Sequence, residues 1–169
     1  MSRYERHTVT LDVYPVERLR DHGVGPPLLD TDHPFEGAVY ATTGLAYSTL
    51  GPHHAGQPVP LTGGEWAALL DSDVEPTTAE TVEVVTGAGG VFLPRESRVV
   101  DTMAWYWDVE QDLLYEPARV LLRPPSDDRD SAYAFSVHGQ PERPATVLSK
   151  SEATERLADG RLVELCRVG

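Results

Sequence analysis

The chain is poor in cysteine, in lysine and in positive charge generally, and it has no long apolar run. Its single cysteine, Cys166, excludes an internal disulfide and a thiolate metal cluster, and nothing in the composition marks an oxidising compartment. Lys150 is the one lysine, so almost all positive charge is carried by arginine. No segment approaches the roughly 20 apolar residues of a membrane-spanning helix, and residues 1–10 lack the apolar core of a secretory signal, which makes a cytoplasmic location the expectation. Neither Gly-x-Ser-x-Gly nor His-Glu-x-x-His occurs, so the common serine-hydrolase and zinc-protease signatures are missing.

Acidic groups dominate what is present. Against 14 Lys and Arg stand 27 Asp and Glu, a formal charge of -13 over 169 residues. Such a field repels phosphate backbones and anionic lipid heads, which disfavours nucleic acid and membrane surfaces as partners and favours basic proteins. The hydrophobic fraction of 40% supports a folded core, and the length is that of a single domain over residues 1–169.

Periodicity predicts mostly strands. Residues 7–13 alternate Thr8, Thr10 and Asp12 with Val9, Leu11 and Val13, the period of a half-buried strand. Pro15 is suited to open a helical turn through Leu19, and Gly23 to end it. Two Gly- and Pro-rich loops are expected over 23–34 and 51–60, on either side of an apolar segment, 38–50, interrupted at Gly44. A strand is expected over 38–42; beyond Gly44 either a second strand or a short helix fits. Thr62 and Glu65 have capping-box spacing, which predicts a helix over about 64–71 with Trp66, Leu69 and Leu70 on one side. The Thr86-Gly-Ala-Gly-Gly90 run between apolar segments predicts a hairpin. The densest aliphatic and aromatic stretch, 98–123, reads as two strands, 99–107 and 113–122, with Pro117 marking an edge or a bulge. Further strands are expected at 132–137 and 162–166, and a second capping box at Ser149 and Glu152 predicts a helix over 150–158 that stops at Gly160. The fold class is therefore α+β, dominated by antiparallel strands with two or three short helices.

The candidate binding surface lies in the same central stretch. Alternation places Trp105 and Trp107 on one face of a strand and Tyr106 on the other, and a sheet covered on one side leaves aromatic surface for a ligand or partner. Tyr106 and Tyr115 are the expected anchors, with Asp108, Glu110 and Asp112 as an acidic rim at the turn. The adjacent pair His53 and His54 is a second candidate polar site, with Asp30, Asp32 and His33 within reach as additional ligands. Adjacent histidines have poor ligand spacing, so no metal and no cofactor is expected. The acidic run Asp127, Asp128, Asp130 lacks the glycine and distal glutamate of a calcium loop.

Gly37-Ala-Val-Tyr-Ala-Thr-Thr-Gly-Leu-Ala-Tyr47 and Gly90-Val-Phe-Leu-Pro-Arg-Glu96 resemble segments of small ADP-ribosyltransferase-like domains. The resemblance implies a strand ending in Thr, then a helix in a nicotinamide cleft, with His7 and Glu110 as candidates for the NAD-anchoring and catalytic positions. Three functional expectations follow. The first is an acidic, non-enzymatic binding module, inhibitor- or immunity-like, that recognises a basic protein. The second is a small enzyme of specialised metabolism whose small-molecule ligand enters an aromatic-lined cavity. The third is the transferase.

Overall fold

The computed structural model describes residues 3–15, 18–19, 37–50, 58–121 and 131–169. His53, His54, Asp30, Asp32, His33 and the run 127–130 lie outside the described residues. The elements in chain order are β1 (Glu5–Pro15), β2 (Gly37–Thr42), β3 (Leu45–Leu50), β4 (Pro58–Pro60), α1 (Gly63–Asp71), β5 (Thr78–Gly87), β6 (Gly90–Arg95), β7 (Trp105–Asp108), β8 (Leu113–Tyr115), β9 (Arg119–Leu121), β10 (Ala132–Phe135), β11 (Thr146–Ser149), α2 (Lys150–Ala158) and β12 (Leu162–Arg167). Strand pairing is antiparallel and the class is α+β, as composition and periodicity predict. The chain divides into two compact units, Arg6–Val84 with Arg167–Gly169, and Met1–Glu5 with Val85–Cys166.

In the first unit the strand order is β4-β3-β2-β1-β5. Gly44, at φ 82, closes a tight hairpin between β2 and β3, with Thr42 opposite Leu45, so the interrupted segment is two strands. Only a residue without Cβ takes that backbone conformation cheaply. Pro15 is the last residue of β1, opposite Ala38, and the described residues beyond it, Arg18 and Leu19, are helical. β4 is the outer strand and is bounded by Pro58 and Pro60, residues that lack a ladder N–H and suit an edge. The capping box of α1 forms as predicted: the Glu65 N–H donates to Thr62 Oγ1 at 3.2 Å, and the Thr62 N–H donates back to the Glu65 carboxylate at 3.4 Å. Leu69 is buried with Leu19, Val39, Ala41 and Val74, and Trp66 packs against them. Leu70, expected on that face, is 66% exposed, because one step of about 100° from Leu69 carries it off the narrow buried stripe of so short a helix.

The second unit has the order β5-β6-β12-β7-β8 and a separate sheet, β11-β10-β9. Ala88 at φ 50 and Gly89 at φ 73 make the β5–β6 turn, with Gly87 opposite Gly90. Two successive left-handed residues twist the turn in the sense that the flanking strands require. The hairpin in the central stretch is shorter than predicted. β7 spans only Trp105–Asp108, and β8 ends at Tyr115. The strand before Pro117, β8, is the outer strand of its sheet, in line with the edge reading of that proline, but it does not continue through it: the chain leaves the sheet there and resumes as β9, an outer strand of the other sheet.

Helix α2 begins as the second capping signal predicts, with the Glu152 N–H donating to Ser149 Oγ at 3.1 Å. It ends at Gly160, φ 73, where the Gly160 N–H reaches the Leu157 carbonyl at 3.3 Å and the Arg161 N–H reaches the Arg156 carbonyl at 3.0 Å. This pair of bonds satisfies two otherwise orphaned carbonyls and turns the chain into β12. Replacing Ser149 or Thr62 by Ala removes a cap, and Gly160→Ala forces a side chain into the left-handed region. Each is expected to lower unfolding free energy by about 1 kcal/mol, read as a lower urea midpoint at unchanged slope.

Candidate functional site

The registers of β7 sort the central residues onto two faces. Tyr106 lies opposite Tyr115 on β8 and Glu164 on β12, and Asp108 lies opposite Leu113 and Leu162. Trp107 lies opposite Leu114 and Val163, and Trp105 opposite Leu165. Because side chains alternate, one face carries two tyrosines and two carboxylates among leucines, and the other carries the indoles.

Both faces are covered. Tyr106, Leu113, Tyr115 and Leu162 pack with Tyr133 and Phe135 of β10, Leu148 of β11 and Ala153 and Leu157 of α2. Trp107 packs with Tyr4, Val85, Phe92, Leu114 and Leu165, with Trp105 at the margin. The expected anchors are therefore not at the surface: Tyr106 and Tyr115 are each 0% exposed, and Asp108 is 1% exposed. The small sheet and α2 come down on the tyrosine face, so a face expected to be open forms the interior. Glu110 is exposed at the turn and Asp112 is half-buried beside it. Trp105 is half-buried, with its ring 5.2 Å from the His138 ring, edge to face, and His138 Nδ1 lies 3.0 Å from the Glu116 carboxylate.

Each buried carboxylate is held by a phenol. The Tyr115 hydroxyl donates to Asp108 Oδ2 at 2.8 Å, and the Gln111 N–H donates to Oδ1 at 2.9 Å. The Arg156 guanidinium lies 3.9 Å from Asp108 Oδ2. The Tyr106 hydroxyl donates to Glu164 Oε1 at 3.0 Å and accepts the Asp101 N–H at 2.6 Å. Burial pushes the Tyr106 phenol far up, the Asp101 N–H works against it, and Glu164 adds to the rise. Burial likewise pushes Tyr115 up to about 12, opposed by a hydrogen bond with Thr146 and reinforced by Asp108. The structure thus brings together Tyr106, Asp108 and Tyr115 of the expected set and adds Glu164, Asp101, Gln111, Thr146 and Arg156. Glu164 had a readable signal, since a carboxylate inside the apolar run 162–166 must find a donor when that run is buried.

In the unit Arg6–Val84 a different aromatic group stays partly accessible. Tyr14 is half-buried against the Leu69 core, and its phenol is raised by burial and then by the carboxylates of Asp12 and Glu75. Asp12, Asp71, Asp73 and Glu75 are exposed. Among the described residues no three His, Cys, Asp or Glu are placed to hold a metal ion, and no helix is long and apolar enough to cross a membrane. The segment that resembles ADP-ribosyltransferase-like domains forms the β2–β3 hairpin, so a strand stands where the resemblance implies a helix. His7 and Glu110 are both exposed. No protein-family model, curated protein or solved structure matches the chain.

The phenols supply a pH test. A group whose folded pKa is raised gives stability that is complete below its unfolded value near 10 and is lost as pH rises through the folded value. With Tyr115 and Tyr47 both pushed up to about 12, and Tyr106 raised further, unfolding free energy should fall steeply between about pH 10 and 12. Each such group contributes up to about 1.4 kcal/mol per pH unit. Urea midpoints across this range check it, and Tyr115→Phe should flatten the profile.

Proposed function

We propose that the chain is a non-enzymatic acidic binding module, inhibitor- or immunity-like, and that it receives a basic protein on the face of its Arg6–Val84 unit that carries Tyr14. The observation that carries this reading is that the half-buried Tyr14 shares one face of β1 with the exposed Asp12, two residues before it, and its phenol is raised by burial and then by the carboxylates of Asp12 and Glu75. A ring flanked by carboxylates is suited to an arginine or lysine side chain, which gains from the π face and the ionised oxygens together. The net charge of -13 supports the reading as a steering field. Screened surface charge supplies encounter rate and selection more than affinity, so a tight complex needs a desolvated anchor, and Tyr14 takes the part that the sequence alone suggests for Tyr106 and Tyr115.

The small-enzyme alternative is less supported. The conspicuous polar side chains of the central stretch are engaged with one another, Asp108 with Tyr115 and Glu164 with Tyr106, instead of converging on a vacant point.

A short oligoarginine peptide serves as probe, with association followed at low and at physiological salt. The association rate should drop steeply with salt. Asp12→Asn with Glu75→Gln should slow association, and Tyr14→Leu, which keeps apolar packing but removes the ring, should speed dissociation several-fold. Glu110→Gln should change neither. Equal binding by Tyr14→Leu and the parent chain, or turnover of a retained small molecule by the purified protein, would contradict the reading.

A further inference from the structure

The segment 136–138, just past β10, lies along β8, the outer strand of its sheet. The Glu116 N–H donates to the Ser136 carbonyl at 2.9 Å, the His138 N–H donates to the Leu114 carbonyl at 2.8 Å, and Tyr115 pairs with Val137 between them. One side-chain pair spans the same gap: His138 Nδ1 lies 3.0 Å from the Glu116 carboxylate, with the two side chains 30% and 45% exposed. A carboxylate only accepts, so in the neutral ring Nδ1 carries the proton and Nε2 the lone pair. The Trp105 ring meets the imidazole edge to face at 5.2 Å and fixes its position. Among the described residues Arg161 Nε is the sole buried side-chain nitrogen or oxygen that lacks a partner, so His138 Nε2, which bonds to nothing, is open to solvent. A carboxylate behind Nδ1 raises the basicity of the opposite nitrogen, and a third group that orients an imidazole is what activated imidazoles share.

We propose that His138 Nε2 is a covalent acceptor site for an acyl group from a neutral, activated acyl donor, and that acylation releases the segment 136–138 from the edge of β8. The formal charge of -13 repels anionic phosphoryl donors and leaves neutral ones unhindered. The Nε2 lone pair attacks the acyl carbon, the bond from that carbon to the leaving oxygen breaks with its electron pair, and the Nδ1 proton passes to Glu116 and on to water. The product carries the acyl group on Nε2 and a bare lone pair on Nδ1, so two acceptors face each other across the 3.0 Å gap that a donor and an acceptor shared. The contact becomes repulsive beside the two main-chain bonds that hold the segment. The modification is stoichiometric and involves the unit Val85–Cys166, so it stands apart from the basic-partner reading.

The test treats the full chain with diethyl pyrocarbonate, a neutral acyl donor, in mildly alkaline buffer, and locates the carbethoxyl groups by mass spectrometry of its peptides. His138 should be modified at least as fast as the exposed His7, although it is half-buried. Glu116→Gln, which keeps an acceptor but removes its charge, should slow His138 several-fold and leave His7 unchanged. After acylation of the parent chain, the amides of Glu116 and His138 should exchange hydrogen several-fold faster than before, with those of Phe92 and Leu165 unchanged. Hydroxylamine, which removes the acyl group, should restore the slower exchange. Slower reaction at His138 than at His7, or an equal rate at His138 with and without the Glu116 charge, would overturn the proposal. So would unaltered exchange at Glu116 and His138 after acylation, or a rise shared equally by Phe92 and Leu165.

Discussion

Two carboxylates inside an aromatic core set the strictest condition in this molecule. An ionised side chain taken out of water costs several kcal/mol unless donors replace the lost solvent, and a half-paired one is worse than an apolar residue. Asp108 and Glu164 meet the condition because Tyr115 and Tyr106 lie on the same face, each on the neighbouring strand, with their hydroxyls on the carboxylate oxygens, and the Gln111 N–H is a second donor to Asp108. A slip of one residue in β8 would take Tyr115 off the Asp108 face, one in β12 would take Glu164 off the Tyr106 face, and one in β7 would break both pairs. The phenol–carboxylate pairs therefore act on register, a role distinct from net stability, which an apolar core would supply equally well.

Much of the remaining arrangement in that unit follows from this face. It needs a lid, which β10, β11 and α2 provide through Phe135, Leu148, Ala153 and Leu157. It also needs β12 beside β7, since Glu164 must stand opposite Tyr106, and the left-handed Gly160 directs the chain from α2 into that strand. The Asp101 N–H on the Tyr106 oxygen ties the stretch before β7 to the same network, and the Met103 N–H in turn donates to the Asp101 side chain.

Local chemistry was legible in the sequence to the extent that it is local. Both N-caps, the glycine-rich hairpin and the α+β class were readable because a capping box, a left-handed pair and a period of two act over a few residues. The limits of β7 and β8 were not, because an aliphatic run with β propensity says nothing about where a partner strand ends, and Pro117 redirects the chain between sheets. The site failed for a related reason. Alternation correctly separated Tyr106 from the indoles, but whether a second layer covers that face is decided by β10 and α2, which follow only later in the chain. Tyr14 gives no local signal, because Glu75, whose carboxylate acts on its phenol, is distant in sequence.

The most direct measurement is a double-mutant cycle between Tyr115→Phe and Asp108→Asn, repeated for Tyr106→Phe with Glu164→Gln, with unfolding free energies from urea melts near neutral pH. If the phenol–carboxylate pairs hold the register, each cycle returns a coupling of about 1–3 kcal/mol. Couplings within about 0.3 kcal/mol of zero in both cycles would mean that the pairs are incidental to the core and that packing alone sets the register.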